Sequence, residues 1–200
     1  ARTLFPLGVL PSKTETRALA RELGLPVADK PDSQEICFVA EAGGYRAFLQ
    51  SRVPDTVRPG EIRDVHGNVL GRHPGIAFFT IGQRRGLGLS GHQQPLYVVD
   101  IDPQNNVVVV GPEQYLYCRR FLVEAVNWIA FDRLTKPLAV QARIRYNMPE
   151  APATIFPTEV STCVEVEFES PQRAVTPGQA AVFYRGDVVV GGGTISKRLE

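Results

Sequence analysis

Three segments of this 200-residue chain carry side chains able to do chemistry. The first is Asp32-Ser33-Gln34-Glu35-Ile36-Cys37-Phe38, where a polar loop runs into a thiol. A cysteine in this setting is either a reactive thiol or a buried strand residue. Reactivity needs the thiolate, which Lys30 would favour and Glu35 would oppose. The second is Gly82-Gln83-Arg84-Arg85-Gly86-Leu87-Gly88, basic and glycine-rich. It has neither nucleotide-loop spacing, G-x-x-x-x-G-K-[ST] or G-x-G-x-x-G. The guanidiniums of Arg84 and Arg85, with free backbone N–H groups, suit a phosphate; a solvated turn is the alternative. The third is Arg143-Ile144-Arg145-Tyr146. On a strand, Arg143 and Arg145 share a face with Gln141, and Val140, Ala142 and Ile144 share the other. That face suits a phosphate backbone with Tyr146 stacking on a base, or is an ordinary solvated sheet face.

The remaining cysteines and the histidines offer less. Cys37, Cys118 and Cys163 form no C-x-x-C pair, and an odd count excludes full internal pairing. His66, His73 and His92 sit among turn residues without metal-ligand spacing, so no metal site is expected. No signal-peptide pattern opens the chain and no apolar run reaches the roughly 18 residues of a membrane span. Free thiols in a reducing cytoplasm are the expected setting. The hydrophobic fraction of 44% supports a real core, and the net charge of +1 excludes a globally basic nucleic-acid binder but not a local basic patch.

The elements that must position these groups begin with a helix over 13–23. Ser12 and Glu15 have capping-box spacing, and Gly24 and Pro26 end it. The apolar run 36–39 follows, then a short helix near 43–52. From about residue 60, alternating apolar runs separated by turn signals predict strands, as in small barrels or sandwiches. Hairpins are expected at 61–65 with 68–72 and at 96–101 with 107–110, and a short strand at 76–81. Further strands are expected at 121–129, 138–146, 162–168, 180–184 and 188–195. In Val164-Glu165-Val166-Glu167-Phe168-Glu169 the alternation is strict, with glutamates toward water. Arg119-Arg120 marks a candidate boundary between two β units, and Arg185-Gly186-Asp187 reads as a hairpin turn.

Taken together, these segments resemble the tRNA-specific 2-thiouridylase family (MnmA/TrmU). Asp32–Phe38 resembles its D-S-x-x-I-C-F signature, and Gly71-Arg72-His73-Pro74-Gly75 with Thr80–Gly88 resembles G-x-H-x-G…T-[IL]-G-Q-R-[KR]-G-L-G. Arg145-Tyr146, Ala174–Tyr184 and Gly191–Ile195 continue the match in order. The family's S-G-G-x-D-S-S nucleotide loop and the upstream cysteine of its two-thiol site are absent, so the resemblance implies the C-terminal portion of such an enzyme. It implies a mainly β fold with a short α-containing N-terminal segment: residues 1–57 as the tail of the catalytic domain, 58–115 as a central β domain, and 116–200 as a six-stranded-type β-barrel.

The activity implied is tRNA-uridine 2-sulfurtransfer, in which ATP with magnesium activates C2 of the wobble uridine and a cysteine persulfide supplies sulfur. By the same resemblance Cys37 is the persulfide cysteine, released by a disulfide with the missing thiol. The resemblance also implies that Arg145, Tyr146 and Gln179 contact tRNA; the Arg84-Arg85 loop is a weaker candidate for tRNA or for closing over the active site. The implied partners are wobble-uridine tRNA and a cysteine desulfurase or sulfur-relay protein, with no membrane. This stretch alone is expected to bind no cofactor and to be inactive. The rival reading is a non-catalytic RNA-binding barrel of the translation-factor type, with Cys37 structural.

Overall fold

A computed structural model describes residues 5–32, 37–54 and 57–199, apart from the side chains of Cys37 and Ala40. The chain forms two compact units, residues 1–49 and 50–200.

In the first unit, α1 (Lys13–Glu22) starts where the Ser12 hydroxyl accepts from the Glu15 N–H. It ends in a Schellman turn. Gly24 takes φ +65°, its N–H bonds to the Arg21 carbonyl, and the Leu25 N–H bonds to the Ala20 carbonyl. The described part of the apolar run, residues 37–39, is helical: α2 (Cys37–Glu41) begins at the thiol-bearing residue. Gly43 and Gly44 turn the chain into α3 (Tyr45–Arg52), and the Phe38 and Phe48 rings meet at 5.1 Å.

The second unit opens with a four-stranded sheet in the order β2-β1-β4-β3. Its strands are β1 (Gly60–Asp64), β2 (Val69–His73), β3 (Tyr97–Asp102) and β4 (Val107–Gly111). Both expected hairpins form, and β1 also pairs in parallel with β4. Each hairpin is closed by an aspartate. The Asp64 carboxylate accepts from the N–H of His66 and Asn68, and the Asp102 carboxylate from those of Gln104 and Asn105. Ile62, Val98, Val108 and Val110 are fully buried.

The barrel is closed in the order β10-β5-β8-β7-β6-β9. It comprises β5 (Tyr117–Trp128), β6 (Leu138–Arg143), β7 (Ala151–Pro157), β8 (Val164–Arg173), β9 (Ala180–Arg185) and β10 (Val188–Arg198). Inward residues alternate along β6, β7, β9 and the first half of β8, with Phe121, Phe168, Phe183, Ile155 and Ile195 at the centre. Gly192 and Gly193 lie where β10 bulges, with room for no side chain. A Cβ would stand 2.7 Å from the Ala181 carbonyl oxygen at the first and 2.5 Å from that of Glu124 at the second. No helix among the described residues is long and apolar enough to cross a membrane.

Other expectations change, and one strand was not expected. The stretch 76–81 is a 3-10 turn at Ile76–Phe78, because Phe78 and Phe79 are both buried and consecutive strand residues face opposite ways. β7 escapes the strand pattern because prolines at 149, 152 and 157 interrupt it, yet Ala153 and Ile155 point inward. Arg119 and Arg120 lie inside β5, paired with Glu167 and Glu165 across β8 instead of marking a boundary. His73 ends β2 and is 2% exposed, not a turn residue.

His73 also pins the sheet. Its Nε2–H donates to the Asn106 carbonyl at 3.1 Å, and the Asn106 amide donates to the carbonyls of Arg58 and Pro59. Gly60 admits this ring, because a Cβ there would lie 2.1 Å from the Asn106 oxygen and 2.6 Å from Nε2. Gly60→Ala is therefore expected to lower the unfolding free energy by about 1–3 kcal/mol, read from the urea midpoint. Burial depresses the His73 pKa, outweighing its bond to Asn106. The unfolded chain then takes up a proton below about pH 6.5 while the folded chain resists it. This histidine's contribution should hold above that pH and fall as pH drops toward the depressed folded value. Urea unfolding between pH 5 and 7.5, compared with His73→Gln, measures it.

Candidate functional site

The approach to Cys37 is fixed by charge. Lys13 Nζ lies 2.6 Å from an Asp32 carboxylate oxygen, Arg17 lies 3.3 Å from the other, and Arg21 pairs with Asp29 at 2.6 Å. Their hydrogen bonds and positive charge hold both carboxyls below the ordinary range. One face of α1 thus holds residues 29–32, leading toward the thiol. Residues 33–36 and the Cys37 side chain lie outside the described residues, so the expected signature there contributes only its flanks: Asp32, paired with Lys13 and Arg17 of α1, and Cys37 at the first position of α2. The other two cysteines are free thiols; Cys118 is buried, donating to the Arg120 carbonyl, and Cys163 is half-buried.

The second group of residues gathers at one end of the barrel. β6 stops at Arg143, so Arg145 and Tyr146 lie in the turn that follows it, not on a strand face. Ile144 is buried and anchors this turn. Arg145 Nη2 donates to the Thr176 hydroxyl at 2.8 Å and to the Ile81 carbonyl at 3.3 Å. Burial, then the charge of Arg173, lowers its pKa below the ordinary arginine value. Tyr146 is 88% exposed. Arg143 lies 3.4 Å from Glu150 and 5.9 Å from the Tyr184 ring centre.

Gln179 arrives from the neighbouring strand. Arg143 faces Val182 across β6 and β9, which sets the turn after β6 beside the turn before β9. That second turn runs Thr176-Pro177-Gly178-Gln179, with Gly178 at φ +84° and the Gln179 N–H bonded to the Thr176 carbonyl. Thr176 joins the two turns, since its hydroxyl accepts from Arg145 and donates to the Ala174 carbonyl. Arg145, Tyr146 and Gln179 therefore share one barrel end, with Tyr146 and Gln179 exposed.

The glycine-rich loop is rooted at the same place. Ile81, whose carbonyl Arg145 holds, precedes Gly82, and a Cβ on Gly82 would stand 3.4 Å from Ala174. The Gln83 side chain accepts from the Thr80 N–H and donates to the Arg85 carbonyl. Arg84 and Arg85 are exposed. Gln83 and Thr176, which organise the two loops, drew no attention as functional residues in the sequence. Their signal is only that a short polar side chain sits inside a glycine turn.

The chain matches three family models in succession. They are a tRNA methyl transferase HUP domain over residues 1–41, a tRNA methyl transferase PRC-barrel domain over 46–112, and an aminomethyltransferase beta-barrel domain over 118–195. It is 51% identical over its whole length to the tRNA-specific 2-thiouridylase MnmA of Heliobacterium modesticaldum, covering 51% of that protein. It is 52% identical over 98% of its length to MnmA 1 of Caldanaerobacter subterraneus, covering 53%. The chain belongs to the tRNA-specific 2-thiouridylase family. It spans about half the length of these relatives. The described geometry separates the residues at the barrel end: Arg145 braces, while Tyr146 and Gln179 face out.

Arg145→Ala should therefore cost stability, by about 1–3 kcal/mol for a charged donor removed from two acceptors. Tyr146→Ala should stay within about 0.5 kcal/mol of the parent. Paired chemical denaturation curves check both.

Proposed function

We propose that this chain is the C-terminal part of a tRNA-uridine 2-sulfurtransferase, with Cys37 carrying the transferred sulfur and the barrel end docking tRNA. The observation that carries the reading is the meeting of Arg145, Tyr146 and Gln179 at one barrel end, in a chain about half identical to proteins named tRNA-specific 2-thiouridylase. An exposed aromatic ring beside a braced guanidinium is what unstacked RNA bases and their phosphates need.

Cys37 acts by sulfur chemistry in this reading. A persulfide is a soft nucleophile at neutral pH, and its outer sulfur would bond to C2 of the uridine as the activated oxygen leaves. A second thiolate from the rest of the protein would then attack Cys37 Sγ, breaking its bond to the outer sulfur, so that this sulfur stays on C2 and a disulfide forms between the two cysteines. ATP and magnesium do not fit the residues present. The chain has no S-G-G-x-D-S-S loop, and among the described residues no three His, Cys, Asp or Glu could hold a metal ion together. Their site would belong to the half of the relatives that this chain does not span. The first unit supports that division. Phe5, Leu7, Val9, Leu23 and Val27 are exposed, and Ala28 is the one buried residue among those described there. Apolar faces so open are suited to packing against further chain. The sulfur would come from a cysteine desulfurase or relay protein, in the cytoplasm.

In the full-length enzyme, Cys37→Ala should abolish 2-thiouridine formation while leaving tRNA affinity within about twofold, as read by mass spectrometry of digested tRNA and by filter binding. Retained thiolation would point to the rival, in which the barrel merely binds RNA. Tyr146→Ala should weaken tRNA binding by about 1–3 kcal/mol, the usual worth of one base–aromatic stack.

A further inference from the structure

Between Asp64 and Asp100 the chain has three arginines and no lysine, aspartate or glutamate, although its overall net charge is only +1. Within this acid-free stretch, residues 84–96 enclose a polar cleft of about 430 Å³, lined among others by Arg84, Gly86, Gly88, Ser90, His92 and Gln94. We infer that this loop is an oxyanion site that takes a phosphate group, supplied by the RNA backbone. The inference rests on the barrel end being the tRNA-docking face, and it adds a second point of contact next to it.

Four observations converge. Arg84 and Arg85 are exposed and have no carboxylate partner among the described residues. By contrast, Arg63 of β1 pairs with Glu61, and Arg173 of β8 pairs with Glu113. Among the described residues, no backbone N–H from Arg84 to Gln94 donates to a backbone carbonyl or a side chain, so the cleft is rimmed by donors that lack protein acceptors. Such donors are what a phosphate oxygen uses. The loop is held in shape before any ligand arrives. Gln83 bonds at both ends, Leu87 is buried, and Leu89 packs over Gly71. Finally, Gly88 and Gly91 have left-handed φ of +69° and +82°, and a Cβ at either would meet nothing within 4 Å, so a ligand can approach the backbone closely. The loop root at Ile81 and Gly82 is bonded to Arg145 and packed on Ala174, which sets this cleft beside the barrel end.

The test titrates the 200-residue chain into a fluorescent tRNA transcript at several KCl concentrations, reading anisotropy. Each phosphate contact contributes roughly 0.7–0.9 to the slope of log affinity against log salt. Arg84→Ala with Arg85→Ala should lower that slope by about 1–2 and weaken binding about tenfold at moderate salt. A control pair on the far end of the barrel, Arg133→Ala with Arg185→Ala, should leave the slope alone; an equal drop there would reduce the effect to general charge and overturn the site. A second arm adds inorganic pyrophosphate and follows the amide resonances of Gly86, Gly88 and Gly91. Shifts in the parent that vanish in the arginine variant, with an unchanged tRNA slope, would keep the oxyanion site but assign it to free nucleotide phosphate. An unchanged slope and no shifts would sink the inference. Should Tyr146→Ala also leave tRNA affinity untouched, the docking face itself fails; should only the arginine pair be silent, the loop alone does.

Discussion

Everything exposed at the barrel end depends on one joint, between the four-stranded sheet and the barrel. Its apolar part is small: Ile81, Val99 and Leu116 around Ala174, with Tyr97 and Val65 alongside. Three arginines do the rest. Arg198, at the end of the last strand, donates to the carbonyls of Val99, Tyr115 and Tyr117. Arg173 pairs with Glu113 and lies over the Tyr97 ring at 5.5 Å. Arg145 holds the Ile81 carbonyl. A guanidinium suits this task because its planar fork reaches several fixed acceptors at once. The acceptors lie on the sheet at Val99, on the turn at Glu113 and Tyr115 that links sheet to barrel, at Tyr117 on β5 and at Ile81, so the joint fixes orientation without a large apolar area.

That joint explains which parts of the site were legible in the sequence. Elements whose reason is local read well: α1 from its Ser12 cap and Gly24 stop, the hairpins from their Asp64 and Asp102 turns, and β8 from its strict alternation. Elements whose reason is long-range did not. Phe78 and Phe79 are adjacent in sequence and both buried, which the alternation of a strand does not predict. β7 pairs on both sides in a closed barrel despite Pro152, because the ladder around it supplies what its own composition lacks. The pairing of Arg119 and Arg120 with Glu167 and Glu165 joins residues more than forty apart, so two adjacent arginines read as a boundary are two rungs of one sheet.

For the site the division is similar. Composition and spacing drew attention to Arg145 and Tyr146 as a strand face able to meet RNA, whereas Gln179 came only from the resemblance. The structure places all three together but assigns them different tasks, since strand β6 ends before Arg145 reaches it. Arg145 turns back to brace the joint and Tyr146 turns out. The alternation of polar and apolar residues is the same whether a strand ends at 143 or at 146, so the pattern alone could not separate a bracing arginine from a docking one. For Cys37 the pattern left the choice between reactive and structural thiol open, and the resemblance made it.

The near-zero net charge remains consistent with RNA binding once the arginines are sorted by what they bond. Arg17, Arg21, Arg63, Arg119, Arg120, Arg143 and Arg173 all lie against carboxylates. Their charge is matched within a few ångströms and contributes little at a distance. Arg145 and Arg198 are different: they bond to neutral carbonyl and hydroxyl oxygens, which satisfy the donors without cancelling the charge. Arg84 and Arg85 have no acid nearby in sequence at all. Arg84, Arg85, Arg145 and Arg198 therefore leave positive charge uncancelled around the sheet–barrel joint, beside the exposed Tyr146 and Gln179. A chain of balanced composition can in this way present one basic face, and the bonds that fix the joint are also what leave that face positive.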